Sequence, residues 1–160
     1  MSAQEGSAGE VDRVTEAVLT ASRLLVAVTA RSLDDVQDSL TLPQFRALVV
    51  LSARGPLRLT RLAEHLEVNP STAMRMAERL TAAGMITRSA NPDNRRESML
   101  RLTEAGHAVV DQVTLRRRRE ISAIVQRMPA AHRERLVAAL EAFNEAGGEP
   151  GSGPARVAPG

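Results

Sequence analysis

Between residues 69 and 102 the order of local signals leaves few folds open. Asn69-Pro70 opens a helix, with Asn69 as N-cap and Pro70 at the first helical position, and Gly84 closes it as a left-handed cap. Just upstream, a short helix following Leu59-Thr60 turns Leu62, Ala63 and Leu66 inward, and Glu67-Val68-Asn69 turns the chain. Two helices joined by so short a turn form a helix-turn-helix candidate. Met85-Ile86-Thr87-Arg88 and Ser98-Met99-Leu100-Arg101-Leu102 then read as strands around the turn-forming Ala90-Asn91-Pro92-Asp93-Asn94. A hairpin in that place is a wing, and Leu57-Arg58 offers it a third short strand.

The flanks are helical. Val11, Val14, Val18, Ala21, Leu25 and Val28 recur at spacings of three and four and line one stripe of a long helix, a candidate coiled-coil-like seam, that fades near Asp38. A second helix starts with Thr41 as N-cap and Pro43 in its first turn, carries Phe45, Leu48, Val49 and Ser52 on one face, and stops at Gly55-Pro56. After the wing, Thr103-Glu104-Ala105-Gly106 starts a long helix to about Met128, broken at Pro129, and a last helix carries Leu136, Val137, Leu140 and Phe143. The fold class is mainly α with a small wing hairpin. One domain is expected over residues 10 to 146, with long helices at about 10 to 38 and 103 to 146 around a winged lobe at about 42 to 102. Residues 1 to 9 and 147 to 160, rich in Gly, Ser, Ala and Pro, read as disordered tails.

Composition removes several functions. No apolar run approaches the roughly 18 to 20 residues of a membrane span, and the N-terminus lacks the basic start and apolar stretch of a secretory signal, so a cytoplasmic protein is expected. Without cysteine there is no thiolate metal site and no thiol switch. Phe45 and Phe143 are the only aromatic residues, too few for stacking single-stranded nucleic acid, which favours duplex DNA if nucleic acid is the partner. All 21 basic side chains are arginine, and the net charge is only +2. The surplus is concentrated in residues 58 to 101, where eight arginines face five acids. No Ser-His-Asp, Cys-His, paired-carboxylate or phosphate-loop constellation stands in a credible setting, so no enzyme and no cofactor are expected. His65, His107 and His132 are isolated from one another and lack ligand spacing, so no metal site is expected either.

The element order, the stretch LTRLAEHLEVNPSTAMRMAERLTAAGMITR and the wing NPDNRRESMLRLTEAG resemble MarR-type regulators over about residues 10 to 145. Leu102-Thr103-x-x-Gly106 after the wing is the sharpest part of the likeness. The resemblance implies a homodimer whose first, fifth and sixth helices interlock, with a winged lobe on each subunit reading half of a pseudo-palindromic operator. It also implies repression relieved by a small molecule, held in a crevice near the second helix that Phe45 and Arg46 would line. The family wing reads Asp-x-Arg, whereas the matching residues here are Asn94, Arg95 and Arg96. Asparagine cannot form the carboxylate pair, and Asp93 is the neighbouring substitute.

At about 100° per residue, Ala73, Ala77, Leu80 and Gly84 share one side of the Asn69-capped helix, and Thr72, Arg75 and Arg79 the other. An arginine on such a helix can donate two hydrogen bonds to guanine O6 and N7, discriminating by about 1 to 3 kcal/mol. That role falls to Arg75. Arg79, a turn later, reaches phosphate, and the backbone amides around Ser71 and Thr72 suit an anionic oxygen. Arg95 and Arg96 stand at the hairpin tip, and Arg96 is the candidate for insertion into a narrow minor groove. Thr60, Asn69, Met76 and Asn94 complete the candidate DNA-contacting set, although Met76, like Met74, Met85 and Met99, also reads as a packing residue. The competing readings are a solvated charged face and a winged helix that binds protein instead of DNA. Arg116 to Arg119 point all around a helix axis and read as a solvated or dimer-flanking run.

Overall fold

The computed structural model describes residues 2–36 and 39–148. Their contacts divide the chain into two compact units, one up to Arg119 and one from Glu120 on, a division that the one-domain reading lacks.

The first unit holds α1 (Ser2–Asp34), α2 (Leu42–Arg54), β1 (Leu57–Arg58), α3 (Leu59–Leu66), α4 (Pro70–Ala82), β2 (Ile86–Ala90), β3 (Ser98–Leu102) and most of α5 (Glu104–Gln126). The second holds the end of α5 and α6 (Ala130–Ala146). The fold is therefore mainly helical with one small antiparallel sheet, ordered β1-β3-β2. Its register pairs Leu57 with Leu100, and runs from Ile86–Leu102 to Ala90–Ser98 along the hairpin. Among the described residues, no helix is long and apolar enough to cross a membrane.

The core of the first unit fills the space between α2, α3, α4 and the sheet. Leu48, Leu51, Leu62, Leu80, Ile86 and Leu100 are fully enclosed, joined by Leu33 from α1 and by Val110 and Val113 from α5. Each such side chain contributes about 1.5 to 3 kcal/mol by leaving water. Local chemistry sets the helix ends that aim these residues. Thr41 and Gln44 form a reciprocal capping box, Thr41 Oγ1 accepting from the Gln44 amide at 3.4 Å and Gln44 Oε1 accepting from the Thr41 amide at 3.0 Å. Gly55, at φ 77°, ends α2 in a conformation that a side chain would strain.

Three sequence expectations change. The helix α1 begins at Ser2, so residues 2 to 9 are helical; the apolar stripe starts only at Val11, and the segment before it, although it holds Gly6 and Gly9, contains no proline to stop the turns. The buried face of α2 is rotated: Gln44, Phe45, Ala47, Leu48 and Leu51 point inward, leaving Val49 and Ser52 exposed, because the small Ala47 admits close packing. The first hairpin strand runs two residues further, to Ala90. The expected C-terminal tail, apart from Gly147 and Gly148, lies outside the described residues, as does Asp38, where the first helix was expected to fade.

The stripe on α1 is buried only at Val28. Val11 is 60% exposed, and Val14, Leu19, Leu24, Leu25 and Val26 are exposed with it. In the second unit, Val137, Leu140 and Phe143 of α6 are likewise exposed, and α6 has no buried residue.

Candidate nucleic-acid interface

The turn between α3 and α4 is made by Glu67, which takes a left-handed conformation at φ 55° and ψ 41° while the Val68 amide reaches back to Ala63 O at 3.1 Å. Reversal in two residues sets Asn69 at the head of α4. Its Oδ1 accepts from the Thr72 amide at 2.9 Å and from Ser71 Oγ at 2.7 Å. The Thr72 amide is thus already satisfied, which narrows the helix-start donors expected for an anionic oxygen to the Ser71 amide.

Along α4, Ala73, Ala77 and Leu80 are buried while Arg75 and Arg79 are exposed, as helical spacing predicts. Small alanines on the inner side let α4 lie close to the core, and the outer side is left to the two guanidiniums. Arg75 Nη2 rests on Thr72 Oγ1 of its own helix at 3.4 Å, a weak tether that a stronger acceptor can replace. Met76, in the candidate contact set, is half-buried and packs against the core. Met74, also half-buried, has its sulfur 3.4 Å from Arg88 Nη1.

The wing tip is organised by three side chains. Asn91 Oδ1 accepts from the Asp93 amide at 3.0 Å, and Asn94 Oδ1 accepts from the Arg96 amide at 3.2 Å. Asparagine makes this local bond as well as aspartate would, so the loop keeps its turn without a carboxylate at 94. Glu97 is the third. Its carboxylate accepts from Arg58 Nη1 at 3.2 and 3.1 Å and from Asn91 Nδ2 at 3.2 Å, while its backbone closes the hairpin to Asn91 at 2.9 Å. Asp93 makes no ion pair among the described residues, and neither do Arg95 and Arg96, which are exposed at the tip. Sequence reasoning named Asp93 as the substitute acid; the structure gives that work to Glu97, which reaches Arg58 only because β1 lies next to β3.

Between α3, α4 and the hairpin lies a groove of about 180 Å³ lined by Thr60, Met74, Arg88, Arg96 and Glu97 among others. Thr60 and Arg96 are thereby brought to one place from opposite ends of the lobe. Arg88 and Arg58, absent from the sequence-derived set, stand there too. Strand alternation puts Arg88 on the same face as the inward Ile86 two residues earlier, so its exposure was not legible from the pattern and follows from its place further along the hairpin.

At its base the wing is joined to α4 and α5. Thr103 Oγ1 donates to Gly84 O at 2.6 Å and accepts from the Gly106 amide at 3.1 Å, while the Thr103 amide donates to Met85 O at 3.0 Å. A Cβ on Gly106 would lie 2.1 Å from Met85 O, so α5 can start this close to α4's end only with glycine there. That geometry accounts for the Thr103-x-x-Gly106 spacing.

Two further sets are dispersed. Phe45 is 3% exposed within the core, whereas Arg46 is exposed, so the two do not share one surface. In the arginine run, Arg116 pairs with Asp35 at 2.8 Å, Arg117 is half-buried with its Nε unbonded, and Arg118 and Arg119 are exposed.

Comparison with known proteins gives this geometry a family. The model of the MarR family matches residues 40–98. The HTH-type transcriptional repressor MdtR of Bacillus subtilis is 34% identical over 77 residues, 48% of this chain and 50% of MdtR. The chain spans about half the length of the curated relatives that it matches. Among solved structures, RV1404 from Mycobacterium tuberculosis is 52% identical, with a TM-score of 0.81 over 87% of this chain and 95% of that one. The transcriptional regulator Tm0710 from Thermotoga maritima is 26% identical, with a TM-score of 0.65 over 84% and 94%. With a half-identical relative matched over nearly its whole length and the family model lying on the helix-turn-helix and the first strand and loop of the wing, the chain belongs to the MarR family of winged helix-turn-helix transcription regulators.

Proposed function

We propose that this chain is a homodimeric regulator that binds duplex DNA sequence-specifically at a pseudo-palindromic operator in the cytoplasm, acting as a ligand-responsive repressor. The observation that carries the reading is the exposure of two arginine pairs, Arg75 with Arg79 on α4 and Arg95 with Arg96 at the wing, on elements bonded into one sheet-and-helix lobe. A helix and a hairpin held this way address a major groove and the adjoining minor groove together. Arg75 reads guanine, Arg79 and the Ser71 amide hold phosphate, and Arg96 enters the minor groove, with Thr60, Asn69, Thr72, Asn94 and Arg95 around them.

Dimerisation is supported by the apolar residues that α1 and α6 leave in water, Val11, Val14, Leu25, Val137, Leu140 and Phe143 among them. Two-fold symmetry then places half-sites about 10 base pairs apart, centre to centre. The effector is a small molecule, and Arg46, the exposed neighbour of buried Phe45, is its candidate contact.

Selection of bound sequences from a random duplex pool tests the reading. Enrichment of a two-fold symmetric site is expected, with log affinity falling against log salt by about 0.9 for each phosphate neutralised. A pool left unenriched at low salt, or a chain that sediments as a monomer, refutes it.

A further inference from the structure

The wing's readers, Arg95 and Arg96, sit on a loop of seven residues joined to the lobe at both ends. At the base the joint is backbone and hydroxyl; at the tip it is one carboxylate. Glu97 receives Arg58 Nη1 on both oxygens and Asn91 Nδ2 on one of them, so this single group ties the start of α3, the beginning of the loop and its end. Glu97 is 34% exposed and Arg58 46%, and a pair so placed adds little to folding stability. What it fixes is direction: the neighbour of Glu97 in sequence is Arg96, and a swing of the loop about its strands carries Arg96 away from the groove it shares with Thr60 and Met74.

We propose that Glu97 is the positioning residue of the wing, a carboxylate latch onto Arg58 that sets where Arg96 enters DNA and so adds sequence preference instead of affinity. The proposal rests on the DNA-binding reading above and names a residue within it. Electrostatics makes it unusual. An acid beside a polyanion repels, so the charge of Glu97 taken alone disfavours every duplex, and it is useful only if the geometry it imposes returns more at the right sequence than the charge takes away. An extended arginine responds to minor-groove width and potential over a distance of ångströms, so aim decides its contribution. The latch also explains how the wing works with Asn94: the neutral side chain shapes the turn, and the charge that holds it has moved to position 97 and to a partner outside the loop.

The opposite signs make a test. Glu97→Gln, Arg58→Ala and the charge-reversed pair Arg58→Glu with Glu97→Arg are compared with the wild type by fluorescence anisotropy. The probes are a duplex enriched by the wild type from a random pool and a scrambled duplex of the same composition. Glu97→Gln is expected to bind the scrambled duplex more tightly and the enriched one more weakly, lowering the ratio of the two by about tenfold. The reversed pair keeps the net charge and is expected to restore most of the ratio. Amide exchange at residues 94–97 in the free protein is expected to quicken in Glu97→Gln with an unchanged melting temperature, which separates a loosened loop from a damaged fold. Equal tightening on both duplexes, or exchange that stays slow, overturns the latch. Failure of the function reading has a different signature, a wild-type protein that enriches no sequence.

Discussion

Replacing Gly106 with alanine adds one methyl group, and elsewhere in a helix that change stabilises by up to about 1 kcal/mol. Here the new carbon would sit 2.1 Å from Met85 O, 3.1 Å from Met85 C and 3.1 Å from Leu102 Cδ2, where ordinary contact begins near 3.4 Å. The obstacle is backbone, fixed by the Thr103 amide at 3.0 Å and by burial of the Met85 side chain, so no rotamer change relieves it. The start of α5 must therefore retreat by about 1 Å, which costs about 1 to 3 kcal/mol as overpacking. The retreat also stretches the bonds from Thr103 to Gly84 O, to Met85 O and from the Gly106 amide, each contributing about 0.5 to 1.5 kcal/mol. Partial loss of these brings the total to about 3 kcal/mol, or a fall of about 10 °C in melting temperature. Circular dichroism melts at one fixed protein concentration measure it, with Gly9→Ala as the control, since nothing lies within 4 Å of a Cβ there and an unchanged or slightly higher midpoint is expected. If Gly106→Ala melts with Gly9→Ala, the close approach of α5 to Met85 is not a constraint and the reasoning fails.

Arg75→Ala is expected to flatten preference between enriched and scrambled duplexes, whereas Arg79→Ala weakens both alike and reduces the salt slope by about 2 for a dimer; equal losses in anisotropy contradict that division. Asn69→Ala removes the acceptor for the Thr72 amide and Ser71 hydroxyl, and a loss of about 1 kcal/mol is expected in urea unfolding. Leu25→Glu places a charge in the exposed α1 stripe, and sedimentation is expected to show monomers with the lobe's helical content retained.

Features set by neighbours along the chain were legible in the sequence. Thr41, Asn69, Gly55 and Gly84 punctuate helices through bonds or dihedrals spanning at most four residues, and the Ala73-Ala77-Leu80 face follows from helical period alone. What escaped depends on pairings far apart in sequence. Arg58 and Glu97 are 39 positions apart and meet only through the β1-β3 register, so nothing local distinguishes Glu97 from Asp93 as the wing's acid. The same holds for the methionines. Met74 and Met76 stand two residues apart on one helix, and which of them faces Arg88 depends on where the hairpin folds back. Phe45 illustrates a different limit. An aromatic residue on an amphipathic helix suits a ligand crevice and a core equally, and packing around Leu48 and Leu51 decides for the core.

The two readers proposed above, Arg75 and Arg96, can act together only if their separation is fixed, because groove spacing in duplex DNA is fixed. In this lobe the separation is set at two places. Thr103 and Gly106 join the end of α4, the end of β3 and the start of α5 at one point, so the helix carrying Arg75 and the strand leading from Arg96 leave a common anchor. Arg58 and Glu97 then pin the far end of the hairpin to the start of α3. The two joints differ in strength. The first is a buried glycine against backbone, and breaking it damages the fold; the second is a half-exposed ion pair, and breaking it costs little stability. Perturbing them in turn therefore separates what keeps the lobe folded from what aims it. Gly106→Ala should lower melting temperature and all DNA binding in proportion, whereas Glu97→Gln should leave melting unchanged and alter only which duplex is preferred.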